Sequence, residues 1–174
     1  MADPVIAAAL TVQSATTSLW FLPFAAPICI WAALSDLKRM KIPNKAVMAL
    51  VGVFAIIGLI ALPLADYPWR YLHLVVVLVI GFVFNIAGAF GAGDAKFAAA
   101  MAPFIALGDV YLFCMMFAAT LLIGFALHRI ARAIPAVRRA TPNWESWQRK
   151  DFPMGLCLGT SLILYLAVGA LYGA

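Results

Sequence analysis

The feature that most constrains this chain is a succession of apolar runs, each near the length that crosses a bilayer, with charged residues confined almost entirely to the gaps between them. A hydrocarbon core of about 30 Å takes roughly 20 apolar residues of helix. Runs of that kind lie near residues 17–35, 45–64, 70–90, 109–131 and 153–172, with a shorter one near 94–107. Hydrophobic residues make up 66% of the 174 and charged residues only 11%, against roughly 45–50% and about 25% in soluble domains. A chain of this size has too little interior to hide so many apolar side chains, so lipid must receive them. The implied fold class is all-α: a polytopic membrane helix bundle of about six transmembrane helices. It forms a single integral-membrane domain over residues 1–174, with no room for a second soluble one.

The net charge of +5 does not point to nucleic acid, because the bases sit in short gaps between apolar runs. Such bases report orientation and contact with anionic lipid. With six spans, the loops at 36–45, 91–96 and 129–153 share one side and hold eleven of the twelve Lys and Arg residues. The other side keeps only Arg70, beside Asp66. The positive-inside rule then puts the basic loops in the cytoplasm and both termini outside it. The first 20 residues contain no Lys or Arg, so a cleavable secretory signal is not expected and the first span reads as a retained anchor. Residues 4–16, apolar but dotted with Thr, Ser and Gln, read as a half-buried preface to that span. The long basic loop, with Trp144 and Trp147 among its charges, reads as an interfacial segment on the cytoplasmic surface. Cys29, Cys114 and Cys157 are scattered singly and read as small hydrophobes.

Two acids stand apart from the rest. Asp36 ends the first span and Asp94 opens the fourth, 58 residues later, and the loop assignment brings both to the cytoplasmic side. From Asp94 to Leu107 there are only 14 residues, about 21 Å of helix, and Pro103 within them predicts a kink. Asp94 is therefore expected below the membrane surface, where Gly91-Ala92-Gly93 would need protein or a wet cavity around its backbone. Carboxylates are costly in a membrane and are functional candidates there. Singly, Asp94 also reads as a helix cap, and Asp36 as a surface charge neutralised by Lys38, Arg39 or Lys41. The other acids have ordinary places: Asp66 and Asp109 in turns at the opposite face, Asp3 in a tail, Glu145 and Asp151 in the basic loop. Together, Asp36 and Asp94 suit acid–base hydrolysis, since neighbouring carboxylates share one proton and can activate water while polarising a carbonyl. No metal-ligand set competes: His73 and His128 lie at opposite ends of spans and read as interfacial histidines.

At these sites the chain resembles the type IV prepilin peptidase family, the GxGD-type intramembrane aspartic proteases. Asp36-Leu-Lys-Arg-Met-Lys-Ile-Pro43-Asn44 is similar to the family's first catalytic segment, and Gly91-Ala-Gly93-Asp94-Ala-Lys96 to its Gly-x-Gly-Asp-x-Lys segment. Phe152-Pro153-Met154-Gly155 resembles the family's Pro-Tyr-Gly-x-Ala, with Met in place of Tyr. The resemblance spans roughly residues 17–172 and implies that Asp36 and Asp94 are a catalytic dyad. That dyad would cut the leader of a prepilin or pseudopilin precursor just before its hydrophobic helix, on the cytoplasmic face of the bacterial inner membrane. It implies that Gly91 and Gly93 let the backbone bend toward substrate. Lys96 would bias the charge of the dyad, bind a backbone carbonyl, or simply extend to the surface. Pro43 and Asn44 read as turn and cap residues that start the second helix rather than as substrate contacts.

The larger, bifunctional members carry an extra domain with paired Cys-x-x-Cys motifs and also methylate the pilin. This chain has no cysteine pair and is similar to the short, peptidase-only members of tight-adherence (Flp-type) pilus systems. The expected partners are the precursor and the lipid bilayer, with no nucleic acid, cofactor or metal, and with the oligomeric state open. Two other classes remain: a transport or scaffold protein using membrane carboxylates, and a GxGD protease with another membrane substrate.

Overall fold

The computed structural model describes residues 9–149 and 151–174; Asp3 and Lys150 lie outside the described residues. Among the described residues, seven α-helices follow one another: α1 (Ala15–Arg39), α2 (Asn44–Ala61), α3 (Tyr67–Ile86), α4 (Ala92–Met101), α5 (Val110–Ala133), α6 (Pro135–Ala140) and α7 (Met154–Tyr172). Among the described residues, α1, α2, α3, α7 and the stretch Leu107–Ala133 that contains α5 are long and apolar enough to cross a membrane. The bundle is all-α and polytopic, as the apolar runs imply. In α3 only Gly81 is buried, and none of the most apolar stretch of Leu107–Ala133 is. With side chains such as Val79, Phe82, Leu122 and Ile123 left outward, these two helices have lipid as their solvent.

The short fourth run makes its pass differently. Helix α4 has only 10 residues and gives way at Pro103 to the 3₁₀ turn Ala102–Phe104, since proline has no N–H to continue an α-helix. The segment from Ala99 to Ala106 is buried throughout. Surrounding helices thus supply the dry environment and partners that a broken helix needs at membrane depth. The expected kink at Pro103 is present, and α4 itself is too short to span.

Between apolar helices in lipid, close packing rather than water exclusion drives association, and small residues allow it. Along α7, a Cβ added at Gly159 would stand 2.8 Å from the Cys29 carbonyl oxygen of α1, and one at Gly155 would stand 3.0 Å from the Asp36 Cβ. Gly81 lets α3 approach α4 in the same way, since a Cβ there would come within 2.9 Å of the Ala95 Cβ. The core between these helices is aromatic: Phe21 lies 4.8 Å edge-on to Phe104, and Phe54 is 5.5 Å from Phe104 and 5.6 Å from Tyr67.

The end away from the basic loops is closed by a polar knot. Asp109, only 3% exposed, accepts the Val12 and Gln13 backbone N–H groups at 2.7 and 3.0 Å and the Tyr165 hydroxyl at 2.8 Å. Residues 10–13 are held there, with Leu10 N–H donating to the Tyr172 carbonyl at 2.8 Å. Thr11 and Gln13 are buried, and the Ser14 hydroxyl caps α1 by accepting from Thr17 N–H at 3.2 Å. The preface to the first span is half-buried as expected over its described part. Asp109 lies in a turn at this end, as expected, and in addition it ties three segments together. Arg70 donates to the Pro103 carbonyl at 3.3 Å and to Gln13 Oε1 at 3.5 Å, while Asp66 stays exposed.

Within the basic loop, residues 145–147 turn inward against α1, and Ser146 and Trp147 are buried. His128 is buried beneath Trp147, with ring centroids 5.0 Å apart.

Candidate active site

Asp36 occupies the inward face of α1 because Cys29, Ala32, Ala33 and Asp36 recur at helical spacing and all are buried. The helix ends one turn later at Met40, which takes the left-handed conformation (φ 50°) and donates its N–H to the Asp36 carbonyl at 2.8 Å. The chain then returns over the site: the buried Ser35 hydroxyl donates to the Lys41 carbonyl at 2.9 Å, Ile42 is buried, and Pro43 fixes the entry to α2. Pro43, not Asn44, holds the position before α2, and no side-chain cap forms there. Asn44 is the helix's first residue and, with Pro43, also lines the cavity described below. The cap role expected for Asn44 is therefore corrected.

Asp94 lies in the first turn of α4, three residues after Gly91. No side chain at Gly91 caps the helix, and the Asp94 carboxylate turns back over it. A Cβ at position 91 would stand 2.6 Å from Asp94 Oδ2, so any larger residue there would push the carboxylate aside. The expected backbone freedom is not what Gly91 supplies, since its φ of −66° is open to any residue. Gly93 likewise has ordinary room for a methyl, 3.7 Å from Ile42 Cβ. The bend that delivers α4 is made one turn earlier at Gly88 (φ 73°), where a side chain would be strained.

The fold brings the two aspartates to one place. Asp36, Asp94, Gly91 and Met40 are shared by two adjoining cavities. One, of about 530 Å³, is polar and basic at its rim, with Ser35, Arg39, Lys41, Asn44, Gly93 and Lys96. The other, of about 700 Å³, is walled by Phe90, Leu121, Leu122, Phe125, Phe152 and Met154, with Arg149 and Asp151 at the loop. Among the described residues, the one ion pair within 4.0 Å joins Arg149 to Glu145, so Lys96 lines the polar cavity without pairing to either aspartate.

A third segment completes the site. The Gly155 backbone N–H, in the first turn of α7, donates to Asp36 Oδ2 at 2.8 Å. A Cβ on Gly155 would press on Ile42 Cδ1 at 2.9 Å and on Asp36 Oδ2 at 3.0 Å. Here Phe152-Pro153-Met154-Gly155 gains a physical role: it orients one carboxylate oxygen and leaves the other to the cavity. The α5 wall carries no motif at all, so nothing in the sequence singles out Leu121, Leu122 or Phe125. His73, on α3, and His128, on α5, line neither cavity.

No curated protein and no solved structure matches the chain. The model of the type IV leader peptidase family matches residues 23–128, which includes both aspartates, both cavity-forming turns and the α5 wall. That stretch is more than half of the chain and holds all of the polar cavity and all of the apolar one but its 149–154 edge, and we conclude that this multi-pass membrane protein belongs to the type IV leader peptidase family.

Proposed function

We propose that the protein is an aspartic endopeptidase that removes the leader of a type IV prepilin or pseudopilin of the Flp type. It would act at the cytoplasmic face of the inner membrane, without methyltransferase activity. The observation that carries this reading is the sharing of Asp36 and Asp94 by a polar and an apolar cavity. A precursor with a polar leader followed by a hydrophobic helix changes character at its cleavage site in the same way. The leader would occupy the polar half and the start of the helix the apolar half, so that the scissile bond falls between the two carboxylates. Arg39, Lys41 and Lys96 line the polar half and repel a densely basic segment at the cut itself. The residue just before the cut is therefore uncharged, with any basic residues of the leader farther out, and the family resemblance implies that it is small.

In the reaction, the ionised member of the dyad takes a proton from water as the water oxygen attacks the peptide carbonyl. The protonated member gives its proton to the carbonyl oxygen, forming a tetrahedral diol. Collapse breaks the C–N bond, returns a proton to the leaving nitrogen and restores one shared proton to the pair. The N–H of Gly155 holds Asp36 in place through these steps. The reading is tested by incubating the full chain in proteoliposomes with candidate precursors and identifying product termini by mass spectrometry. Asp36→Asn and Asp94→Asn are expected to insert normally and leave the precursor uncut; normal processing by either would sink the dyad.

A further inference from the structure

The mechanism above leaves unexplained a row of stacked rings in the basic loop. Trp144 stacks on Trp147 with centroids 5.6 Å apart, and Trp147 stacks on His128 at 5.0 Å. His128 meets the edge of Phe152 at 5.7 Å, and Phe152 meets Phe125 at 5.6 Å. The row is anchored at its outer end, where Trp147 Nε1–H donates to the Thr141 carbonyl and hydroxyl at 3.1 and 3.0 Å. Its inner end is Phe152, separated from Gly155 by the buried Pro153 and by Met154. Proline fixes its own φ and restricts the residue before it, so a displaced Phe152 ring carries the start of α7 with it. The group moved would be the N–H that holds Asp36.

The geometry points to Phe152 as a positioning residue, held by the His128–Trp147 stack, that sets the orientation of Asp36 through Gly155. The inference rests on the peptidase reading, since it concerns how that dyad is held. His128 and Trp147 line neither cavity that contains the aspartates, so any effect they have on the chemical step passes through the segment they support. Phe152 also walls the apolar cavity. A substrate helix seated there therefore presses on the same ring that positions the dyad, and substrate seating and Asp36 orientation are linked through one side chain. The His128 ring acts here as a flat surface: its Nε2 is buried and has no hydrogen-bond partner among the described residues.

The test is steady-state cleavage of a precursor by the full chain in proteoliposomes, with kcat and KM separated. Trp147→Ala and His128→Ala are expected to lower kcat by about ten- to a hundredfold, the cost of a displaced reacting group, with KM changed much less. Trp147→Phe and His128→Phe, which rebuild a stacked ring, are expected to recover most of the loss. Asp109→Asn, which loosens the opposite end, serves as the stability control and is expected to lower the melting temperature while keeping kcat when assayed well below it. Two results would overturn the inference: Trp147→Ala and His128→Ala cleaving at the wild-type kcat, or His128→Phe being as impaired as His128→Ala. Failure of the peptidase reading is a different outcome, in which wild type and Asp36→Asn process the precursor alike.

Discussion

Asp36 and Asp109 are both almost completely buried, at 6% and 3% exposure, yet they are held in opposite ways. Asp109 accepts two backbone N–H groups and a tyrosine hydroxyl, which use both of its oxygens and join the residues before α1 to α5 and α7. Asp36 accepts one N–H on one oxygen and shares two cavities with a second carboxylate. A buried carboxylate surrounded by donors is a structural tie. One whose remaining lone pairs face a cavity beside another acid is arranged for chemistry, because water and substrate can reach it. Burial alone does not separate the two; the count and direction of the donors does.

The comparison is broken most directly by exchanging each acid for its amide. Asp36→Asn and Asp94→Asn are expected to lower cleavage by about 10²–10⁴-fold, the usual range for removing a general acid or base, with melting temperature nearly unchanged. Gly155→Ala comes next. Its methyl would press on Asp36, so kcat is expected to fall by about ten- to a hundredfold, while KM for the precursor holds. At the opposite end, Asp109→Asn is expected to cost about 1.5–3 kcal/mol of stability, the range for hydrogen bonds to a charged group, with kcat retained below the lowered melting temperature. Thermal denaturation in detergent read alongside activity separates these effects, and loss of kcat in Asp109→Asn at low temperature would erase the contrast. The smallest effect belongs to Lys96→Gln, expected to change cleavage by no more than about threefold. That change should fade as salt is raised, and a larger, salt-independent loss would move Lys96 into the catalytic machinery.

Much of the fold was legible in the sequence because lipid imposes a simple rule. Runs of apolar residues long enough to cross a bilayer must be helices, and all the long helices lie where those runs lie. The shortness of the fourth run and the break at Pro103 could also be foreseen from length and proline chemistry. At the site, Asp36 and Asp94 were visible because charges are scarce and each stands at a helix end. Leu107-Gly108-Asp109 is the turn its sequence suggests, but the tie made by the Asp109 side chain is not legible there. Its donors come from residues 12, 13 and 165, contacts that no local pattern records. The inward turn of Trp147 was hidden for the same reason: an aromatic residue among charges suits a membrane surface equally well.

By itself the sequence determined that the chain crosses the membrane several times as helices, which end carries the basic loops, and which two acids lack an ordinary place. Each of these follows from the local cost of putting a given side chain in lipid. Only the tertiary structure decided that the two acids share one recess, that a side chain at Gly91 or Gly155 would crowd a carboxylate, that the residue 155 N–H holds Asp36, and that α5 supplies an apolar wall. Those facts depend on distances between segments tens of residues apart, set by how closely glycine-lined helices pack, and packing is a property of surfaces that meet only once the chain has folded.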